Sequence, residues 1–307
     1  MRERDLIAHH LAPLATSAAA RGLTDDAAVW APPLGRELVM THDVLAAGVH
    51  YLADDPPGDV AWKLLAVNLS DLAAMGATPA GVLLGLGLSA AEDDGWLAAF
   101  SAGLARGLDR WRVALWGGDT VRGLDAAVLG LTAVGTVEPG TALARTGARA
   151  GDGLWVSGTI GDAGLGLAIA RGAAPFDTAL LGRLRRPEPR LRLGRLLVGV
   201  ASAAMDVSDG LLIDAQRLAA ASGVAMTVEL DRIPVSPAAA ARTPRDDDGL
   251  VSLATAGDDY ELLFTLPPDA KGPAGTTRVG TVAAGTGLTV RGVTGALLTL
   301  ERLGFEH

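Results

Sequence analysis

The aspartates of this 307-residue chain are gathered into short clusters that interrupt long stretches of Ala, Leu, Val and Gly. The clusters read Thr24-Asp25-Asp26, Thr41-His42-Asp43, Ser70-Asp71, Gly117-Gly118-Asp119-Thr120 and Asp206-Val207-Ser208-Asp209-Gly210. Each is expected where an apolar strand ends or a helix begins. A carboxylate buried without a partner costs several kcal/mol, so any cluster that packs inward needs a cation. Carboxylates and hydroxyls with almost no histidine beside them form a hard oxygen-donor set. Such a set suits Mg²⁺ bridging to phosphates, not zinc or a redox metal. The pattern points to an enzyme that handles a nucleoside triphosphate.

Other function classes fall away on composition. About half the residues are apolar, ample for two domains. The absence of Cys removes disulfides, thiolate metal sites and cysteine nucleophiles. A net charge of −9 argues against a broad nucleic-acid surface, so an anionic substrate must be held by metals and a few local cations. No apolar run approaches the roughly 20 residues of a membrane span, and the expected location is the cytoplasm.

Strand and helix signals alternate along the chain, which predicts a mixed α/β fold. Residues 38–41 read as a short strand ending in a His42-Asp43 turn. Residues 59–75 have helical spacing and stop at Gly76, with Pro79 just beyond. Residues 80–88 read as a buried strand. Residues 94–111 carry an apolar stripe at Leu97, Phe100, Leu104 and Leu108 and should be a helix. Strands are expected at 113–116, leading into the Gly117-Gly118 turn, and at 126–137. The turn-rich stretch 145–153 marks a domain boundary, giving domains 1–144 and 145–307. The second half predicts strands at 154–157, 203–206, 260–266, 278–282 and 288–291. Helices are expected at 163–170 and 211–222, and Pro187-Glu188-Pro189 separates two further Leu/Arg-rich helices.

Individual residues carry both bland and chemical readings. A lone Asp71 is most simply an exposed helix-end aspartate, but it lies in line with Leu64, Asn68 and Met75 on a stripe that favours burial. Ser208 reads as an N-cap, with Asp206 and Asp209 facing outward as ligands. The Gly117-Gly118 pair lets a backbone approach a phosphate, although a glycine pair is usually only a turn. Neither a Walker lysine motif nor a GxGxxG fingerprint occurs. Of five histidines, His50 is the one placed at a substrate; His9 and His10 read as surface residues.

Taken in order, these blocks resemble the thiamine-monophosphate kinase family. The matching residues include Asp25-Asp26-Ala27-Ala28-Val29, Gly48-Val49-His50, and the run Asn68-Leu69-Ser70-Asp71-Leu72-Ala73-Ala74-Met75-Gly76-Ala77-Thr78-Pro79. Met205-Asp206-Val207-Ser208-Asp209-Gly210-Leu211 and Gly257-Asp258-Asp259-Tyr260-Glu261-Leu262-Leu263-Phe264-Thr265 extend the match. The resemblance implies a two-domain fold like that of aminoimidazole ribonucleotide synthetase. Its N-terminal α/β domain pairs with a dimer mate through its sheet, and its C-terminal domain is also α/β. The implied reaction is direct phosphoryl transfer from ATP to thiamine monophosphate with several Mg²⁺ ions. By position, Asp26, Thr41, His42, Asp43, Asp71, Asp119, Asp206 and Asp209 are then metal ligands. Gly118, Asp119, Arg145 and Ser208 contact ATP; His50, Asp258 and Phe305 face the thiamine phosphate.

The chain departs from the family pattern at three positions. His42 stands where Thr is usual, Asp258 replaces Glu, and Ser101 occupies a place where an aromatic often lies near the adenine. Rival readings are another synthetase of the same superfamily, acting on ribonucleotide or selenophosphate, and a non-catalytic nucleotide-binding protein. The selenophosphate synthetases usually carry a reactive Cys near the N-terminus, which this chain lacks.

Overall fold

The computed structural model describes residues 3–305. The chain divides into two compact units, one made of residues 1–72 and 77–140, the other of 73–76 and 141–307.

The first unit opens with a short helix α1 (Glu3–Leu6), and Pro13 falls in a following 3₁₀ turn. Four strands then form one sheet among the described residues: β1 (Glu37–Ala46), β2 (Thr78–Leu88), β3 (Ala114–Arg122) and β4 (Val128–Val137), in the order β1-β4-β2-β3. β4 runs antiparallel to both neighbours, and β2 and β3 are parallel. Helices α2 (Pro57–Ala74) and α3 (Asp94–Trp111) complete the unit. α3 begins where Asp93 accepts the Trp96 N–H at 2.8 Å, and ends with Arg112 in the left-handed conformation. All four residues of its predicted stripe are buried.

Register divides the sheet into two chemically different faces. Val39 and Leu45 of β1 share a buried face with Leu129, Leu131 and Ala133 of β4 and with Val82, Leu84 and Leu86 of β2. α2 lies on this side, where a side chain at Gly135 would meet Leu72 at 3.2 Å. The opposite face carries Leu38, Met40, Val44, Leu83 and Val128, all exposed, with Met40 at 65%.

Two expectations fail here for one reason. Thr41-His42-Asp43 is not a turn, and Gly117-Gly118-Asp119-Thr120 does not follow a strand; both lie inside unbroken strands. Polar residues can continue a strand when alternation sends them to different faces and the ladder pairs their backbones. Gly118 is glycine because its strand runs close to β2: a Cβ there would stand 1.8 Å from the Leu84 carbonyl oxygen.

The second unit is built on seven strands among the described residues, ordered β11-β10-β7-β9-β5-β8-β6. They are β5 (Gly153–Ser157), β6 (Ala203–Val207), β7 (Ala225–Glu229), β8 (Glu261–Leu266), β9 (Thr276–Ala283), β10 (Gly287–Arg291) and β11 (Leu297–Leu298). All pairings are antiparallel except β7 with β10. Helices α4 (Asp162–Ala170), α5 (Thr178–Arg185), α6 (Leu191–Leu197), α7 (Leu211–Ser222), α8 (Pro237–Ala240) and α9 (Asp247–Ala254) surround it. Leu211, Leu212, Ala215 and Leu218 of α7 enter a core with Val156, Met205, Val207 and Leu263. β7 escaped the sequence reading because five alternating residues after a helix cap give little periodic signal. No helix among the described residues is long and apolar enough to cross a membrane.

Candidate functional site

The first unit gathers its site residues into two groups, one on each side of β1. On the helix side, the Thr41 hydroxyl donates to the Asp71 carboxylate, and the Asp43 N–H donates to the Asn68 side-chain oxygen at 2.9 Å. The Asn68 amide nitrogen in turn donates to the Leu64 carbonyl at 2.9 Å. Asn68 is fully buried in α2, so it fixes strand and helix together beneath the two carboxylates. Burial lifts the Asp43 carboxyl from 3.8 to about 6; repulsion from Asp71 adds to this and His42 opposes it. Asp71 is therefore not the exposed helix-end residue of the bland reading.

Across the strand, His42 points to the open face. Its Nδ1 lies 2.9 Å from the Thr132 hydroxyl, and its ring covers Gly130. This side borders a cavity of about 730 Å³ between the N-terminal segment and the sheet. Asp26, His42, Gly118 and Asp119 line it, with Trp30 and Trp116 packed together, their rings tilted by 35° and 4.9 Å apart between centroids. Asp119 is exposed, and its Oδ1 accepts the Thr120 N–H at 2.9 Å. One strand thus sends the His42 ring and the Asp43 carboxylate to opposite faces.

His50 sits in the turn after β1, where its Nδ1 accepts the Ala46 N–H at 3.0 Å and Lys63 Nζ donates to its carbonyl at 3.0 Å. With Nδ1 engaged as an acceptor, the neutral ring carries its proton on Nε2. Ser101 is buried in α3 and donates to the Leu97 carbonyl at 2.7 Å, so that position holds a helix-packing residue.

The second unit holds the remaining residues. Asp206 is buried in β6. Ser208 and Asp209 follow it, but Ser208 does not cap α7: the cap position is Gly210, without a side-chain bond. Asp214, inside the first turn, reaches back instead, and its Oδ2 accepts the N–H groups of Ser208 and Asp209 at 3.1 Å each. Burial pushes the Asp214 carboxyl up to about 6, against the pull of those N–H bonds and of Arg217. Arg217 pairs with both Asp209 and Asp214. Arg145 is exposed, and its carbonyl accepts the Ser222 hydroxyl at 2.8 Å.

Asp258 and Tyr260 flank a tight turn in which both take left-handed backbone (φ 62° and 50°), and the Tyr260 hydroxyl donates to Asp258 Oδ1 at 3.1 Å. Such backbone costs of order 1 kcal/mol or more per residue and persists only where neighbours over-determine it. They do so here. The buried Asp259 accepts the Gly161 N–H, and burial raises its carboxyl well above the ordinary range. Glu261, with no exposed surface, accepts from Ser157 at 2.5 Å, from Arg183 at 2.8 Å and from the Arg190 fork. Sequence reasoning missed Asp214, Arg217, Asp259, Glu261, Arg183 and Arg190. Asp259 and Glu261 stand inside the quoted Gly-Asp-Asp-Tyr-Glu-Leu block, so a signal existed for them; for the three arginines none did.

Among the described residues no three His, Asp or Glu side chains converge as a ready metal cage. The donors that do meet, Thr41, Asp43 and Asp71, are all oxygens, and burial first, then the neighbouring Asp71 charge, raise the Asp43 carboxyl. That is the environment a hard divalent cation fits.

Comparison with known proteins identifies the family. Residues 24–137 match the AIR synthase related protein N-terminal domain, and residues 149–291 match its C-terminal domain. A thiamine-monophosphate kinase of Caulobacter vibrioides is 43% identical over 288 residues, covering 92% of this chain and 81% of the relative. That of Salmonella typhimurium is 42% identical, covering 80% and 76%. The crystal structure of thiamine-monophosphate kinase from Stenotrophomonas maltophilia superposes with a TM-score of 0.80 at 43% identity, over 87% of this chain and 89% of that one. AaThiL complexed with AMPPCP and TMP gives 0.80 at 29% identity over 99% and 98%. The hydrogenase maturation protein HypE of E. coli, 21% identical with a TM-score of 0.78 over 99% of each chain, shares the fold. The chain belongs to the AIR synthase related proteins and, within them, to the thiamine-monophosphate kinase family.

Proposed function

We propose that the protein transfers the γ-phosphoryl group of ATP to the phosphate of thiamine monophosphate, giving thiamine diphosphate and ADP. The observation that carries this reading is the 43% identity to a thiamine-monophosphate kinase across nearly the whole chain. The oxygen-only Thr41–Asp43–Asp71 group supplies the local chemistry.

The acceptor is already a phosphate anion, so transfer needs little base catalysis. The difficulty lies in bringing two polyanions together in line. Mg²⁺, when bound, supplies the neutralising charge. Its proposed holders are Asp26, Thr41, Asp43, Asp71, Asp119, Asp206 and Asp209. His42 joins them through its main chain, since its ring is engaged with the Thr132 hydroxyl. Gly118, Asp119, Arg145 and Ser208 are proposed to hold ATP, with the Arg145 guanidinium as a two-pronged phosphate clamp. His50 offers its Nε2–H toward the acceptor, whose other contacts are Asp258 and Phe305. The methylene that Asp258 lacks relative to Glu shortens its reach, which the turn around it partly sets.

We further infer a homodimer, formed through the open face that Leu38, Met40, Val44, Leu83 and Val128 make apolar. In this reading residues 1–144 are the domain that dimerises and binds ATP with its metal, and residues 145–307 are the C-terminal α/β domain. A cytoplasmic location fits this chemistry. The direct test is ATP turnover against a panel of phosphate acceptors with product identification. Thiamine monophosphate should be converted to the diphosphate far faster than any other acceptor; equal rates across the panel, or ATP hydrolysis without transfer, would refute the assignment.

A further inference from the structure

All four main-chain hydrogen-bonding groups of the dipeptide Ser208-Asp209 are engaged within the second unit. Both N–H groups donate to Oδ2 of Asp214, at 3.1 Å each. The Ser208 carbonyl accepts the Asp258 N–H at 2.7 Å, and the Asp209 carbonyl accepts the Phe305 N–H at 2.8 Å. Two of the three residues assigned to thiamine monophosphate, Asp258 and Phe305, therefore hang from consecutive carbonyls of a segment whose Ser208 is assigned to ATP and whose Asp209 is assigned to its metal. Asp214 lies on the far side of that segment and has no exposed surface. Arg217 bridges it to Asp209, so the carboxylate is held on its helix as well as on the dipeptide.

Rotating or shifting this dipeptide moves both sets of contacts together, because the Ser208 carbonyl, which holds Asp258, and the Asp209 N–H, which Asp214 holds, lie in one peptide plane. A peptide plane tied on both edges has little freedom to adjust to one ligand alone. We propose that Asp214 is a positioning residue for the transfer reaction, orienting the Ser208-Asp209 segment so that the nucleotide contacts and the acceptor contacts are set by one buried carboxylate. This rests on the site reading given under Proposed function. Asp214 touches neither substrate in this scheme; it acts through the backbone of residues that do.

The experiment is calorimetric binding of a non-hydrolysable ATP analogue with Mg²⁺, and separately of thiamine monophosphate, to the full chain and to Asp214→Ala, Asp214→Asn, Asp258→Ala and Phe305→Ala. Thermal melting confirms that each variant is folded. Asp214→Ala should weaken both ligands by about tenfold, the scale of losing shared buried hydrogen bonds. Asp214→Asn keeps an oxygen to accept the N–H groups and loses only the Arg217 pair, so it should weaken both by about threefold. Asp258→Ala and Phe305→Ala should weaken thiamine monophosphate alone. Should Asp214→Ala not fold, the Asn variant decides. A folded Asp214 variant that binds both ligands normally, or weakens only one, overturns the proposal. If neither Asp258→Ala nor Phe305→Ala changes thiamine monophosphate binding, the acceptor-site reading is what fails, while the nucleotide arm still tests Asp214.

Discussion

Phe305 is held to Asp209 by its own backbone: its N–H donates to the Asp209 carbonyl at 2.8 Å, while its ring stands 5.9 Å from the Arg302 guanidinium. Gly304 makes that approach possible, since a Cβ there would lie 2.3 Å from Ile213 Cγ2 and 2.6 Å from the Asp209 oxygen. A terminal segment is thereby fixed to the start of α7, which puts an aromatic side chain beside the Ser208-Asp209 segment.

Gly304→Ala should lift this segment off α7, because the added methyl would meet Ile213 and the Asp209 carbonyl. The KM for thiamine monophosphate should rise by roughly tenfold, about 1.4 kcal/mol of lost binding, while the KM for ATP moves less. Steady-state kinetics with each substrate varied in turn checks this. Equal rises in both constants would mean that the segment supports the whole unit and not the acceptor.

Asp43→Asn and Asp71→Asn should each abolish turnover and leave the fold intact. Each removes a carboxylate from a group that burial has already made costly to ionise, and the amide keeps the volume. Circular dichroism checks the fold, and activity is measured at saturating Mg²⁺. Near-normal turnover in either variant would show that the ligand assignment is mistaken.

The same carboxyl predicts a pH-dependent stability. Asp43 titrates at about 6 when folded against an ordinary 3.8, so the folded chain binds this proton more tightly than the unfolded chain does. Its contribution to stability is present at low pH and is lost as pH rises through about 6. Asp43→Asn should therefore raise the melting temperature of the metal-free protein near pH 7. The gain should be about 1 kcal/mol after allowing for partial contact with water, or roughly 2–4 °C, and should vanish near pH 4. Calorimetry without divalent ions measures it; a gain that persists unchanged at pH 4 would assign the effect to packing.

His42→Thr should be tolerated. The ring lies on the face opposite Asp43 and meets Thr132, so its loss removes one partly solvated contact and leaves the main-chain carbonyl where it was. Activity should stay within a few-fold of the parent. A loss above roughly a hundredfold, or about 2.7 kcal/mol of transition-state stabilisation, would show that the imidazole takes part in the reaction.

Met40→Glu should convert a dimer into a monomer. Met40 is 65% exposed on the apolar side of β1, and a charge placed in a desolvated sheet interface has no partner there. Light scattering at micromolar concentration reads the mass of parent and variant. A parent that is already monomeric and fully active removes the dimer from the proposal.

Local signals settled a good deal of this protein. The α3 stripe of Leu97, Phe100, Leu104 and Leu108 was sufficient to place a helix at 94–111, because i, i+3, i+4 spacing acts within one turn. Alternation of strand and helix signals gave the layered class, and the aspartate blocks gave the family and its chemistry. What sequence could not decide was which face each residue of Thr41-His42-Asp43 takes and whether the segment turns at all. Both depend on β4, whose Thr132 and Leu131 are its register partners from far along the chain. Nor could it find Asp214: a carboxylate in the first turn of a helix looks like an ordinary surface charge until the fold buries it under two backbone N–H groups. Burial and hydrogen-bond partnership are properties of the assembled backbone, and residues distant in sequence supply the groups that make a side chain a positioning element.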